Sequence, residues 1–275
     1  MRISVLGSGS RGNATLVVAG RTRLLVDAGF SGRDLEARLE RVGIAPDGLS
    51  GILITHEHGD HTRGAGVLAR RWRLPVFLTR VTHRAVARTL RGTEDVRYYR
   101  ATERFVIGDV EVRPFLTAHD AADPVAVSLH DIRSGHRLGI ATDLGRPTAA
   151  VRHALSDCDV LLLEANHDDV LLRTGPYPWS VKRRIASSHG HLSNQVAARF
   201  AAELWHPGLA AVVLAHLSDA CNEPRYARAA VAAQLARVGF RGALLVANQD
   251  EPLEWLDVEA LRARVRPLQL PLPLL

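Results

Sequence analysis

The segment His56-Glu57-His58-Gly59-Asp60-His61 is the feature that most limits what this chain can fold into. It directly follows Ile52–Ile54, an apolar run that is typical of a buried strand. The three imidazoles and the Asp60 carboxylate are therefore placed on one short loop at a strand end. Gathering these groups away from water costs desolvation and repulsion unless a cation lies between them. Neutral imidazole and carboxylate suit divalent Zn, Mn and Fe, so the segment predicts a metal site.

Four further apolar runs end in polar residues of the same chemical kinds. The polar segments are 117–120, 142–145, 164–168 and 215–218, which contain His119, Asp143, Glu164, His167 and His216. Loops that follow strands converge over one edge of a rigid sheet, where ligand sites collect. We therefore expect several of these side chains to join the loop 56–61.

The order of apolar runs predicts an α/β fold. Strands are predicted at Ile3–Leu6, Leu16–Ala19, Leu24–Val26, Ile52–Ile54, Val76–Leu78, Val110–Leu116, Val125–Leu129, Leu138–Ala141, Val160–Leu163, Val212–Leu214 and Leu244–Val246. Helices are predicted at Leu35–Val42, Ala65–Trp72, Thr82–Leu90, Ala149–Leu155, Ser193–Leu204 and Arg225–Val238. This alternation in two halves indicates sheets covered by helices in a single domain over residues 1–258. Residues 259–275 are predicted to be a Pro/Leu-rich C-terminal tail, because its prolines cannot continue a helix.

Composition restricts the setting of the protein. The chain is 47% hydrophobic, which is enough for a sizeable core, and has no apolar run of membrane-spanning length. Its two cysteines cannot form a disulfide framework, so we expect a cytoplasmic protein with no membrane contact.

The net charge of +6 comes almost entirely from arginine, because Lys182 is the only lysine. Arginine matches phosphate groups with a two-pronged fork, so the excess is compatible with a nucleic-acid partner. GC-rich codon usage would enrich arginine equally well, and charge alone does not decide between these explanations.

Taken together, these motifs resemble the metallo-β-lactamase fold hydrolases. The resemblance covers about residues 1–250 and is carried by Leu25-Val26-Asp27-Ala28-Gly29, by His56-x-His58-x-Asp60-His61, and by His119, Asp143 and His216 in the same order. Within that family the chain is most similar to the YycJ/WalJ-like branch, which is related to tRNase Z and RNase J. The supporting segments are 7–13, 164–168, 177–180, 190–194 and 216–218 with Asn222. Cys221 stands where this branch commonly has a second asparagine.

The resemblance implies a four-layer αββα sandwich and a ligand set for two divalent metal ions, Mn, Zn or Fe. One ion would be held by His56, His58, His119 and Asp143. The other would be held by Asp60, His61, Asp143 and His216, with Asp143 bridging the two. Asp27 would support the ligand loop from behind.

A pair of metals about 3.5–4 Å apart can share a hydroxide that attacks phosphorus in a phosphodiester. By resemblance to tRNase Z-like enzymes, His191 is the candidate to protonate the leaving oxygen or stabilise the phosphate, and His167 is a second candidate. Asp60 is counted among the catalytic residues as well as the ligands. A structural role for His191 beside the helix-capping Ser193 remains open.

Three segments supply candidate substrate-binding residues. Gly7–Asn13 offers closely spaced backbone N–H groups with Ser8, Ser10 and Asn13, which could cradle a phosphate or simply form a turn. Trp179 and Arg183 combine an aromatic surface with positive charge, as nucleotide-binding surfaces do. Ser193 and Asn194 complete the set.

The leading hypothesis is a DNA exonuclease that acts 5′→3′ on duplex ends in repair or replication. The tail residues Gln269, Leu270, Leu272 and Leu274 resemble peptides that dock to the sliding clamp, which favours DNA over RNA; the tail could instead cover its own domain. The alternatives are an RNA-processing nuclease, a small-molecule phosphodiesterase or thioesterase, and a non-catalytic nucleic-acid- or clamp-binding module.

Overall fold

The computed structural model describes residues 1–265. Gln269, Leu270, Leu272 and Leu274, for which a clamp contact is predicted, lie outside the described residues.

Fourteen strands and ten helices are formed within residues 1–265. The strands are β1 (Arg2–Gly7), β2 (Ala14–Ala19), β3 (Thr22–Val26), β4 (Gly51–Leu53), β5 (Val76–Leu78), β6 (Val96–Tyr98), β7 (Phe105–Ile107), β8 (Val110–Leu116), β9 (Val125–Asp131), β10 (Arg137–Ala141), β11 (Val160–Glu164), β12 (Ala211–Ala215), β13 (Ala243–Val246) and β14 (Leu256–Asp257). The helices are α1 (Gly32–Arg41), α2 (Gly59–Thr62), α3 (Ala65–Trp72), α4 (Arg80–Ala85), α5 (Ala149–Leu155), α6 (Asp169–Thr174), α7 (Trp179–Ile185), α8 (Asn194–Glu203), α9 (Pro224–Arg237) and α10 (Val258–Val265). No helix among these is both long and apolar enough to cross a membrane.

The strands form two seven-stranded sheets. The first sheet has the order β14-β1-β2-β3-β4-β5-β6, and the second has the order β13-β12-β11-β10-β9-β8-β7. One apolar cluster, which includes Val26 and Val213, fills the space between the sheets. A second cluster joins the outer face of the second sheet to α5, α8 and α9, and a third joins the first sheet to α1 and α3. The predicted four-layer αββα sandwich is confirmed.

The direction of the strands places the loops that matter at one rim. Strands β3 to β6 are mutually parallel, and so are β10 to β13. Strand β8 shares the direction of β10, because both are antiparallel to β9. The carboxyl ends of β4, β8, β10, β11 and β12 therefore open onto the same rim, as such folds require of a ligand site.

Each predicted strand overlaps an observed one, and the differences are local. Strands β6, β7 and β14 were not predicted because they have two or three residues and lie at or beside sheet edges, where no long apolar run is needed. The helix predicted at Thr82–Leu90 is wrong in its extent. The Thr79 side chain caps the start of α4 by accepting a hydrogen bond from Thr82 N, and the helix ends at Ala85.

The predicted boundary between residues 258 and 259 falls inside α10. Residues 259–265, which the composition assigns to the tail, belong to this helix, and Leu261 is buried against the central cluster. Arg262 also pairs at 2.8 Å with Asp159, which directly precedes β11 of the second sheet.

A half-buried histidine on β9, His130, is expected to make the free energy of unfolding sensitive to acid at a position away from the metal-ligand loops. Burial, followed by the charges of Arg113 and Arg137, lowers the pKa of His130 to about 4. The unfolded chain takes up this proton below about pH 6.5 while the folded chain does not, so stability is lost as the pH falls from 6.5 towards 4. Between pH 7 and pH 5 the free energy of unfolding should fall in both proteins. We expect the fall to be roughly 2 kcal/mol smaller for His130→Gln than for the parent.

Urea unfolding at both pH values, with a chelator present throughout, measures this difference. The exposed His153→Gln on the neighbouring helix α5 is the matched control and should follow the parent. An identical pH dependence for His130→Gln and the parent would contradict the prediction.

Candidate metal centre

The predicted ligands come from both sheets and meet at one rim. The loop after β4 carries His56, His58, Asp60 and His61, while His119, Asp143 and His216 follow β8, β10 and β12. The ligand atoms of His56, His58 and His119 lie within 4.8 Å of one another. So do those of Asp60, His61 and His216, and those of His56, His61 and Asp143. Each of the first two groups combines side chains from the two sheets.

The backbone is strained at three of these strand ends. Asp27, Asp143 and His216 adopt φ values of 61°, 57° and 54°, in the left-handed region that non-glycine residues rarely occupy. Within residues 1–265 only Arg73 shares this feature. Such strain costs about 1–3 kcal/mol per residue and persists where the surrounding structure requires it, commonly at functional sites.

In four histidines of the cluster, Nδ1 faces away from the centre and is held by a hydrogen-bond acceptor. The pairs are His56 Nδ1 with Thr55 Oγ1 (3.0 Å), His61 Nδ1 with Asp27 Oδ2 (2.8 Å), His119 Nδ1 with Gly190 O (3.1 Å) and His216 Nδ1 with Glu164 Oε1 (2.8 Å). An acceptor at Nδ1 retains the proton there and leaves the lone pair on Nε2, as is usual for metal-binding histidines. The predicted supporting position of Asp27 agrees with this geometry.

The inner atoms are acceptors that face one another. His61 Nε2 lies 3.1 Å from Asp143 Oδ2, and His216 Nε2 lies 3.3 Å from Asp60 Oδ2. His56 Nε2 and Asp143 Oδ2 are buried without a hydrogen-bond partner. Lone pairs at these separations repel unless a proton or a metal cation lies between them. Because this donor set is imidazole and carboxylate, it fits divalent metal ions.

The pKa shifts show how protons compete with such ions. Burial raises the pKa of Asp143, but His216 and His61 outweigh it and hold the pKa well below its ordinary value. Burial also lowers the pKa of His56 well below its ordinary value. Burial acts in the same direction on His61 and His216, but Asp143 and its neighbours outweigh it and raise both pKa values. Protons and metal ions therefore compete for the same nitrogens.

Close packing against the ligand loop explains why position 29, after Asp27 and Ala28, is a glycine. A Cβ atom at Gly29 would lie 1.6 Å from Asp60 O and 2.6 Å from Asn13 N. Ala28 N donates to His61 O at 2.7 Å, so this turn packs directly against the ligand loop. Only glycine leaves room for this contact.

Glu164 is a site residue to which the sequence analysis assigned no role. Its carboxylate is fully buried at the end of β11 and accepts from His191 Nδ1 and His216 Nδ1, both at 2.8 Å. Backbone N–H groups of Asp143, Leu144 and Leu192 donate to it as well. Burial opposes ionisation, but the charges of His191 and His216 and the hydrogen bonds from these two imidazoles lower the pKa of Glu164 to about 2. The available signal was a carboxylate that ends an otherwise apolar run, which cannot be buried without partners.

A cavity of about 290 Å³ opens above the metal ligands. Its lining residues are mostly polar: Ser10, His58, Gly59, Asp60, Asp143, Asn166, Tyr177, Arg184, Ile185, His191, His216 and Ser218. His191 therefore reaches the cavity, and its side chain is 19% exposed. Arg184, which pairs with Asp120 beside His119, is a lining cation that the sequence analysis did not select.

The remaining candidates divide between the cavity and the supporting structure. Ser10 lines the cavity, but Ser8 and Asn13 lie behind it. Ser8 Oγ accepts from His216 N at 2.8 Å, and Asn13 Nδ2 donates to Asp60 Oδ2 at 3.2 Å. These two side chains thus fasten ligand loops, because they are buried and fully engaged.

Ser193 and Asn194 are not brought to the cavity. The Ser193 side chain caps α8 by accepting a hydrogen bond from Val196 N. Asn194 and Asn222 exchange side-chain hydrogen bonds of 2.9 Å. Both side chains are buried and occupied in the fold.

Three further candidates lie near the cavity without lining it. Trp179 and Arg183 are exposed on α7. Tyr177, which precedes this helix, and Arg184, which belongs to it, line the cavity. The ring of His167 is buried, and its Nδ1 has no partner. Burial lowers the pKa of His167.

Comparison with known proteins agrees with the fold. A family model described as a beta-lactamase superfamily domain matches residues 22–217. The chain belongs to this superfamily. Other members resemble it over most of its length: the exodeoxyribonuclease YycJ of Bacillus anthracis is 37% identical over 242 residues, which are 87% of this chain and 91% of that protein. The exodeoxyribonuclease WalJ of Streptococcus pneumoniae is 32% identical over 240 residues, 86% of this chain and 88% of that protein.

A solved structure shows the same fold. The metallo-beta-lactamase fold protein YhfI from Bacillus subtilis superposes with a TM-score of 0.70 at 18% identity, covering 92% of this chain and 99% of that one. The beta-lactamase superfamily comprises hydrolases of several substrate classes, so the substrate must be argued from the site.

Proposed function

We propose that this protein is a dinuclear metal-dependent phosphodiester hydrolase, and specifically a DNA exonuclease acting 5′→3′ on duplex ends in DNA repair or replication. The observation that carries the proposal is the position of Asp143 between two groups of ligands. Its Oδ2 lies 3.1 Å from His61 Nε2, and its Oδ1 lies 3.6 Å from His119 Nε2. One carboxylate oxygen is thus available to each group, as a bridging ligand requires.

The proposed ligands are His56, His58, His119 and Asp143 for one ion and Asp60, His61, Asp143 and His216 for the other. When bound, such a pair supplies Lewis acidity and makes a water nucleophile available near neutral pH. Thr55, Asp27 and Glu164 orient the imidazoles through their Nδ1 atoms. Manganese, zinc and iron all suit these ligands.

His191 is proposed to donate the proton that the leaving oxygen needs. Its Nδ1 is held by Glu164, its ring lines the cavity, and Nε2 remains available for a substrate oxygen. Burial would lower its pKa, but the charge of Glu164 raises it, which favours the protonated form required of a general acid. His167 remains the second candidate for this role.

The substrate proposal rests on cavity chemistry and on the relatives. Arg184 and Ser10 offer positive charge and a hydroxyl to a phosphate beside the ligands. Trp179 and Arg183 extend from the same α7 helix as an exposed aromatic and cationic surface. The YycJ and WalJ relatives are named exodeoxyribonucleases, which favours DNA over RNA.

The test is hydrolysis of matched DNA and RNA duplexes labelled at the 5′ end, in a series of Mn²⁺, Zn²⁺ and Fe²⁺. Phosphorothioate linkages that block either the 5′ or the 3′ end establish the direction. We expect mononucleotides to be released from DNA duplexes. This release should stop only when the 5′ end is blocked. Preferred cleavage of RNA would instead support the RNA-processing alternative. Hydrolysis of small esters alone would support a small-molecule phosphodiesterase or thioesterase.

A further inference from the structure

A second and larger concavity lies at one edge of the sandwich. It has a volume of about 790 Å³, against about 290 Å³ for the cavity at the metal ligands. Residues of β5, β6, β7 and α4 line it, so it lies where the terminal strands of the two sheets come together. We name it the edge groove and define it by Phe77, Arg80, Arg97, Tyr98, Arg104 and Phe105.

The groove has an aromatic wall. The Phe105 ring stacks on Tyr99 with centroids 5.0 Å apart and on Phe77 with centroids 6.1 Å apart. Tyr98 is 44% exposed, and Leu116 is 47% exposed. Phe77 and Tyr99 are 7% and 6% exposed, so Tyr98 is the aromatic residue of this wall whose ring is open to solvent. An exposed ring offers a flat surface on which a nucleobase stacks.

Arginine dominates the charge of the groove. Arg80, Arg97, Arg100 and Arg104 line it, against the carboxylates of Glu103 and Asp123. Arg80 lies over the ring of Tyr98 at 4.2 Å from the centroid. The side chains of Arg100 and Arg104 are 79% and 73% exposed, and their ion pairs are surface pairs that contribute little stability. Their partners are Glu103 and Glu111, and Arg97 pairs in the same exposed way with Asp95 at 2.7 Å. Phosphate groups can therefore replace these three carboxylates at small cost.

The groove adjoins the proposed metal centre. Arg80 follows β5 and Leu116 ends β8, so both lie at the rim where the metal ligands lie. Tyr99 Oη donates to Ile54 O at 2.8 Å, two residues before His56. Asp123 belongs to the loop that carries His119, and Ala122 N of this loop donates to Glu57 of the histidine segment.

We infer that the edge groove binds a single strand of nucleic acid, in continuity with the strand end at the metal centre. The inference deepens the proposed nuclease function and rests on it for the identity of that end. An aromatic wall beside an excess of exposed guanidinium groups suits bases and phosphates together, which is the recognition chemistry of single strands. The net positive lining favours a polyanion as the occupant.

The test compares two double variants that change the charge equally. Arg100→Glu/Arg104→Glu alters the groove, while Arg237→Glu/Arg241→Glu alters exposed arginines near the opposite rim, at the end of α9 and before β13. Affinity for a fluorescein-labelled 20-nucleotide phosphorothioate strand is measured by anisotropy over a series of salt concentrations with the metal-loaded protein. We expect the groove pair to bind roughly tenfold more weakly at 0.1 M salt, with a salt slope smaller by about one to two. The control pair should stay within about twofold of the parent.

A single aromatic variant tests stacking separately from charge. Tyr98→Ala is expected to weaken binding of the same strand roughly tenfold while leaving the salt slope unchanged. Thermal unfolding of each variant checks that the fold is retained, and the highly exposed arginines keep the test valid if Tyr98→Ala is unstable.

Hydrolysis of the p-nitrophenyl ester of thymidine 5′-monophosphate, which is too short to reach the groove, separates the two proposals. Groove variants should cleave this ester at the parental rate. Equal strand affinity for the groove pair and the control pair would overturn the groove. Strand binding that depends on the groove, in a parent that hydrolyses no phosphodiester, would overturn the nuclease function and leave the groove standing.

Discussion

Replacing Asp143 with asparagine is expected to reduce phosphodiester hydrolysis by roughly a thousandfold or more, because several kcal/mol of metal-derived stabilisation would be lost. The carboxylate is placed between both groups of ligands and is proposed to bridge two ions. Asparagine keeps the shape and tolerates the left-handed backbone at φ 57°. The variant therefore isolates the loss of charge from a change of fold.

Metal content by elemental analysis and hydrolysis rates, measured on the same protein samples, check this prediction. Asp157→Asn is the matched control, since its side chain is 78% exposed in a surface pair with Arg137. It should retain both metal and activity. An Asp143→Asn protein with the parental metal content and rate would remove the dinuclear proposal.

Glu164→Gln is expected to lower activity roughly 10- to 100-fold and to destabilise the fold by about 1–3 kcal/mol. Five N–H groups converge on this carboxylate, and the two imidazoles of His191 and His216 share its Oε1. Glutamine has only one acceptor oxygen, so its amide N–H₂ must face some of the converging donors. If the glutamine oxygen keeps both imidazoles, the amide N–H₂ opposes Leu144 N and Leu192 N and destabilises the rim. If the amide faces the imidazoles instead, both lose their acceptor and their fixed orientation.

Urea unfolding, metal content and kcat of the Glu164→Gln protein measure these effects. Glu203→Gln is the control, because its side chain is 49% exposed in a surface pair with Arg152. Unchanged stability and kcat for Glu164→Gln would show that the carboxylate does not orient the two histidines.

The sequence predicted sheets covered by helices and the clustering of ligands because both depend on local patterns, whereas the four-layer order was implied by the family resemblance. Apolar runs of strand length were each followed by a polar segment, and parallel strands carry such segments to a common rim. The loop His56–His61, His119, Asp143 and His216 meet there for this reason. Their resemblance to a known family supplied the pairing of ligands, which spacing alone does not determine.

What the sequence did not reveal depends on contacts between distant segments. Ser8 and Asn13 could have faced a substrate or a ligand loop. Only the packing of the loop after β1 against the ligand loops places them behind Asp60 and His216. Strands β6 and β7 have three residues each, so the groove between them has no pattern in the chain. Glu164 is selected by its five donors, which come from three separate segments.

The proposed metal ligands come from both halves of the sandwich. His119 joins His56 and His58, and His216 joins Asp60 and His61. Ions bound there would act as cross-links between the two sheets, and such cross-links exist only once the sheets have docked. Binding to the native state alone raises resistance to denaturation in proportion to the logarithm of free ion concentration. The supply of metal would therefore govern how long the folded protein survives, as well as how fast it works.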